Sequence, residues 1–162
     1  MTLRRGAFLK RTILAAALLL VRGLSAQSAP SPIQVGIRFG TDFDANGKDL
    51  PQNILGAVLT RSFNQHWQMA ASVSIYPSVN DGAIWASADL RYRPPLVSQI
   101  LYFATGVTEA DHGAAKNKTG ADLAFGLDPR FAGAIRPFAE GKWVIYRWYT
   151  SFTVQGGVSV GL

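Results

Sequence analysis

Apolar and polar positions alternate along the last stretch of the chain, Tyr149–Leu162. Phe152, Val154, Gly156, Val158, Val160 and Leu162 form one set, and Ser151, Thr153, Gln155, Gly157, Ser159 and Gly161 form the other. A β-strand sends successive side chains to opposite faces, whereas helical spacing would mix the two sets, so the period is two. An apolar face backed by small polar residues fits two settings. One is a strand with hydrocarbon on one side and a polar barrel lumen on the other. The other is a half-buried strand over an ordinary core, as in a soluble sandwich or barrel.

The alternation recurs upstream, and turn residues cut it into eight runs. The first, Ile33–Phe39, sets Ile33, Val35, Ile37 and Phe39 against Gln34, Gly36 and Arg38. The second, Ile54–Phe63, is the least regular, because Ile54 and Val58 fall opposite Leu55, Ala57 and Leu59. In the third, Trp67, Met69, Ala71, Val73 and Ile75 oppose Gln68, Ala70, Ser72 and Ser74. The fourth sets Ile84, Ala86, Ala88, Leu90 and Tyr92 against Trp85, Ser87, Asp89, Arg91 and Arg93. Pro94-Pro95 stops it, since neither proline can donate to a ladder. Leu101, Phe103, Thr105 and Val107 share one face of the fifth. Ala121, Leu123, Phe125 and Leu127 oppose Gly120, Asp122, Ala124, Gly126 and Asp128 in the sixth. The seventh, Ile135–Tyr146, places Arg136, Glu140 and Lys142 on one face and Ala139, Gly141 and Trp143 on the other. Tyr149–Leu162 is the eighth.

Eight such runs predict an all-β chain, an eight-stranded antiparallel up-and-down transmembrane β-barrel, with both termini on one side. The connectors point the same way. Asn64–His66, Pro94–Gln99 and Asp128–Ala134 are short, while Asp42–Asn53 and Glu109–Lys118 are longer and polar. Short turns on the terminus side with longer loops opposite are the asymmetry expected of an outer-membrane barrel.

Three features together resemble a known family: the closing strand, the Arg61-Ser-Phe63…Trp67-Gln-Met69 hairpin, and the Arg136-Pro-Phe-Ala-Glu140 entry to the seventh run. They are similar to the eight-stranded outer-membrane barrel superfamily, of the outer-membrane protein A transmembrane-domain type. The resemblance covers residues 33–162. It implies a location in the cell outer membrane, outer-membrane lipid as the surroundings, and contact with the barrel-assembly machinery during biogenesis. With it goes the expectation of a monomer with a structural, envelope or loop-mediated role, and of no enzymatic one, because neither histidine has a serine at strand spacing to activate. Leu162 departs from the aromatic residue with which that family usually ends.

Composition then changes one part of the picture. The formal net charge is +6, but residues 1–26 hold Arg4, Arg5, Lys10, Arg11 and Arg22 and no acid. The remainder carries eleven Lys and Arg against ten Asp and Glu, so a basic, nucleic-acid-binding surface is not implied. Basic residues, the apolar core Thr12–Val21 and the small-residue end Gly23–Ala26 read as a secretory signal peptide over 1–26, cleaved after Ala26. That core is half of the ~20 residues a spanning helix needs. A Pro-Ser linker, 27–32, precedes the barrel domain, 33–162. Arg4-Arg5-Gly-Ala-Phe-Leu-Lys10 is also similar to a twin-arginine signal, with one residue too many before Phe8-Leu9. Proteins on that route are exported folded, which favours a soluble periplasmic barrel as the rival. Charged residues make up 16% of the chain, against roughly 25% for soluble domains. The chain has no cysteine, so neither disulfides nor a lipidated Cys anchor is available.

The search for chemistry assigns no catalytic, cofactor-binding or metal-ligating residue. His66 falls in a short turn and His112 in a polar loop, and neither has a serine at strand spacing to activate. Both read as solvated turn histidines. Asp42, Asp44, Asn46 and Gly47 open like an EF-hand calcium loop, but Asp49 and Asn53 stand where an apolar residue and a bidentate Glu belong. A hairpin turning at Asn46-Gly47 is the simpler reading. Asn117-Lys-Thr119 is a glycosylation triplet that has no meaning in a bacterial envelope. Arg38, Asp89, Arg91, Asp122, Arg136, Glu140 and Lys142 fall on the inward faces. These charges either form an ion gate or pair to fill the barrel, and eight strands leave room only for the second. The resulting expectation is a plugged polar lumen. A barrel binding or passing a hydrophobic ligand is the alternative, which a strongly apolar inner face would favour.

Overall fold

The computed structural model describes residues 33–44, 51–77, 83–97, 100–111, 118–129, 135–147 and 149–162. The expected signal peptide, 1–26, the expected linker, 27–32, and Asn46, Asp49, His112 and Asn117 lie outside them. Eight strands follow one another: β1 Ile33–Asp44, β2 Gln52–Ser62, β3 Trp67–Ile75, β4 Ile84–Tyr92, β5 Leu101–Asp111, β6 Lys118–Leu127, β7 Ile135–Ile145 and β8 Thr150–Gly161. Each pairs antiparallel with the next, and β8 pairs with β1 to close the barrel.

The register fixes the dimensions. Paired residues lead from Gln34 through Thr60, Ala70, Asp89, Gly106, Asp122, Val144 and Ser151 back to β1 at Asp44, ten residues along the strand. Ten residues of ~3.3 Å rise, set against eight interstrand spacings of ~4.8 Å, tilt the strands by about 40° and give a backbone radius of about 8 Å. Strands of nine to twelve residues at that tilt reach roughly 23–30 Å along the axis, the height of a ~25 Å hydrocarbon band.

The two faces are inverted relative to a soluble protein. Ile37, Phe39, Val107 and Ile135 on the outside are 61%, 63%, 57% and 66% exposed, while Asp89, Asp122 and Glu140 inside are 2%, 0% and 3% exposed. Exposed apolar side chains continue around the circumference through Leu55, Leu90, Leu123 and Val154. A soluble barrel would have to cover this set, and among the described residues nothing does. So wide an apolar surface, wrapped around buried charge, is a lipid-facing surface. Aromatic rings line part of it, slanting from the loop end of β1 toward the terminus end of β6. Phe125, Trp143, Phe152 and Phe43 form an arc across β6, β7, β8 and β1, with successive ring centroids 5.7, 4.5 and 6.5 Å apart. At the terminus end Trp67 packs on Tyr92 at 4.8 Å.

The irregularity of β2 has a physical cause. Ile54 and Val58 do point inward, at 4% and 5% exposure, and for Ile54 the reason is that the loop end of the lumen is itself apolar. Ile54 packs there with Tyr76, Trp85, Val144 and Tyr146.

The expected sorting of loop lengths is not found. β1 continues to Asp44, β5 to Asp111, and β6 starts at Lys118, so the polar stretches taken as long loops are partly strand. The connectors left on that side, 45–51, 76–83, 112–117 and 146–149, match 63–66, 93–100 and 128–134 in length. Asp42 and Glu109 read as loop residues because polar side chains mask the alternation at a strand end.

Candidate functional site in the barrel lumen

The inward side chains form three tiers. In the middle tier β7 supplies both signs of charge, because Glu140 and Lys142 are two residues apart on one face. Glu140 accepts from Arg91 Nη2 at 3.0 Å, from the Tyr102 hydroxyl at 2.6 Å, and from the Gln155 amide. Lys142 Nζ lies 2.9 Å from Asp89 Oδ1 and 3.2 Å from Asp122 Oδ2, and Thr108 donates to Asp122 at 2.7 Å. Arg38 donates from Nε and Nη2 to Ser74 Oγ at 3.0 and 2.6 Å. The hydroxyls of Ser72 and Ser87 close the tier at 2.6 Å.

Arg93 organises the terminus-side tier. Its guanidinium is fully buried, pairs with Asp128, and donates to Gln68 Oε1 at 3.1 Å; Gln68 in turn donates to Ser62 at 2.8 Å. The Tyr102 ring joins the two tiers, with the Arg91 and Arg93 guanidinium carbons 4.6 and 5.5 Å from its centroid. Gly126 lets that ring in, since a Cβ there would collide with the phenol.

The loop-end tier is aromatic. Tyr76 and Trp85 meet edge to face at 5.1 Å, Trp85 and Tyr146 at 6.4 Å, and Tyr146 stacks on Tyr149 at 4.5 Å. Asp42 anchors it, accepting from the Tyr76 hydroxyl at 3.0 Å, from Thr153 at 3.3 Å and from Ser151. Burial, and then the Asp42 charge, pushes the Tyr76 phenol well above its ordinary value, so it stays a donor. Burial and neighbouring Tyr149 do the same to Tyr146.

Between the middle and loop-end tiers a void of about 10 Å³ remains, bordered by Arg38, Ser74, Lys142 and Trp85. That is the room of a single water.

Several sequence expectations meet this geometry directly. Arg38, Asp89, Arg91, Asp122, Glu140 and Lys142 all face the lumen and are buried. Glu140 pairs across the barrel with Arg91 rather than along the strand with Lys142, which two carboxylates already hold. Arg136, expected in the filled centre, is only half-buried because it enters β7 at the terminus rim. Alternation puts Arg93 and Asp128 on inward faces too, and the structure adds them to the expected charge set as a pair just beyond the ends of β4 and β6.

His66 lies in the β2–β3 turn as expected, but it is half-buried and bonded rather than fully solvated. Its Nδ1–H donates to the Arg93 carbonyl at 3.0 Å, and the Arg93 amide donates back to the His66 carbonyl at 2.8 Å. These bonds tie the β2–β3 turn to the end of β4. The first residue of the calcium-like run, Asp42, already serves three protein donors inside the barrel, and Asp44 continues β1. Among the described residues no group of three or more His, Cys, Asp or Glu is placed to hold a metal ion.

This geometry defines a class: a closed transmembrane barrel whose charged interior is cross-bridged by its own side chains. Solved structures of small outer-membrane barrels share this fold. The N-terminal β-barrel domain of Pseudomonas aeruginosa OprF is similar at a TM-score of 0.61 and 14% identity, over 80% of this chain and 97% of that one. Neisserial surface protein A (NspA) gives 0.56 and 14%, over 80% and 95%. Ail, the attachment invasion locus protein of Yersinia pestis, gives 0.56 and 15%, over 82% and 97%. A de novo designed barrel, TMB2.3, gives 0.55 and 12%, over 83% and 96%. A designed sequence reaching the same likeness means that the likeness speaks for fold. No protein-family model matches the chain, and no characterised protein matches it in sequence.

Proposed function

We propose that the protein is a non-enzymatic, monomeric component of a Gram-negative outer membrane with a plugged lumen. On this reading residues 1–26 export the chain, the assembly machinery inserts it, and its role is structural or exercised through its extracellular loops. One observation carries the plug: the charges of the middle tier are already paired across the barrel, and the void beside them among the described residues is about 10 Å³. A conducting path would need Arg91–Glu140 and Lys142–Asp89 to part together. Breaking a buried pair leaves an uncompensated charge, at a cost on the order of 3–5 kcal/mol for each. The charged and hydroxyl-lined interior also argues against passage of a hydrophobic ligand through the barrel.

Planar-bilayer recording of the purified protein tests the reading. The expected result is the absence of sustained current across the voltage range that the bilayer tolerates. Ion-selective steps of long dwell time would replace the structural role with transport.

A further inference from the structure

The lipid-facing surface is not uniformly convex. A cleft of about 560 Å³ opens where β1 meets β8 and β2, lined by Phe39, Thr41, Phe43, Asn53, Val154 and Gly156. That volume lies within the ~300–1,000 Å³ of small-ligand sites. Phe39 and Phe43 stand four residues apart on the outer face of β1, about 13 Å along the strand, and form the two ends of the gap. Between them Thr41 is paired with Val154, and Phe39 with Gly156.

The glycine is informative because the barrel does not need it. A Cβ on Gly157, the next residue, would strike the Ile37 carbonyl, and one on Gly40 would strike that of Val154. These positions are glycine because two backbones approach closely. Gly141, another outward glycine, is covered by the Phe125 ring, which a Cβ would meet at 2.9 Å. At Gly156 a Cβ would meet nothing nearer than the Phe138 carbonyl oxygen at 3.4 Å, an ordinary contact. The space above Gly156 is therefore left open on the outer face, with no packing reason inside the fold.

We propose that this cleft seats one acyl chain of an outer-membrane lipid, held in preference to the lipid around the rest of the barrel. The proposal rests on the membrane reading above. The cleft is continuous with the apolar belt, so hydrocarbon is what reaches it. Its polar groups lie toward the loop end: Thr41 Oγ1 is 3.5 Å from Asn53 Oδ1, and Asn53 is the second residue of β2, at that rim. The Asn53 amide carries N–H donors suited to an ester oxygen, which a lipid presents where its chains meet its headgroup. A chain entering at Asn53 then runs down past Val154 to the notch at Gly156.

The protein is reconstituted in phosphatidylethanolamine–phosphatidylglycerol bilayers doped with a phosphatidylethanolamine carrying a diazirine in mid-chain. After photolysis the labelled peptides are mapped. The expected result is labelling of Phe39–Phe43 and Val154–Gly156 several-fold above Leu90 and Val107 on β4 and β5. Gly156→Leu fills the notch without an internal clash, and should abolish the enrichment while the folded band is retained in unheated gel electrophoresis. Even labelling around the barrel would overturn the proposal, as would enrichment that survives Gly156→Leu. Cross-links to a second copy through the cleft would assign it to dimerisation instead, and overturn it too. Absence of labelling on every face would overturn the membrane reading itself, and the proposal with it.

Discussion

At the scale of single residues, Glu140 holds more of the interior than any other acid in the middle tier. It receives a guanidinium, a phenol and a carboxamide, and its side chain is fully buried. Glu140→Ala would leave Arg91 charged in a dry site and remove the acceptor of Tyr102 and Gln155. The expected destabilisation is on the order of 3–5 kcal/mol, less where water enters to solvate Arg91. Replacing Arg91 and Glu140 together by Met and Leu removes the stranded charge. The double variant should therefore be more stable than Glu140→Ala, although Tyr102 and Gln155 still lose a partner. Urea midpoints in lipid vesicles measure the order. A double variant no more stable than the single one would mean that Arg91 is solvated and the pair is not dry.

At the scale of the strand, β8 carries the test of the lipid-facing surface. Val154 lies near the middle of Thr150–Gly161, and Val160 lies near its end. Both point outward, at 50% and 41% exposure. Lysine at the bilayer midplane costs ~2–4 kcal/mol and near an interface ~0–1. Val154→Lys should therefore lower folded yield in bilayers much more than Val160→Lys. Equal tolerance of the two would contradict a membrane around this strand, since a soluble barrel has no depth gradient. The strand also marks what was legible in the sequence. Period-two alternation is a local property, so β3, β4 and β8 stood out residue by residue. The loop half of β1 did not, because Asp42 looks like a loop acid until Tyr76, Ser151 and Thr153 surround it. Those partners are 34 to 111 residues away in the chain, and no local pattern names them. The same holds for the lumen pairs. Alternation placed Glu140 inside, but only the register around the whole barrel decides that Arg91, and not Lys142, is its partner. The cleft at Gly156 was equally hidden, since it depends on which glycines the packing requires.

At the scale of the whole molecule, closure and even strand number set the topology. Eight antiparallel strands bring the end of β8 back to the side where β1 starts. Connectors of similar length on both sides give no further clue to orientation, so the direction of export has to supply it. A chain delivered from the periplasm inserts its strand hairpins from there and keeps both ends on that side, with the 63–66 turn. The opposite rim, with Lys118 against Tyr149 and with Arg147, then faces the exterior. The native chain has no cysteine, so single cysteines report position without background. Lys118→Cys and Arg147→Cys should react with a membrane-impermeant maleimide on intact cells. Asn64→Cys, in the exposed β2–β3 turn, should react only after the outer membrane is opened. Lysed cells provide the control, since all three positions are solvent-exposed and should then label alike. Labelling of Asn64→Cys alone on intact cells would invert the barrel and put the Arg93–Asp128 tier at the outer mouth. Protection of all three until lysis would instead place both rims behind a barrier, as for a barrel free in the periplasm, and would conflict with the apolar girdle that encloses the molecule.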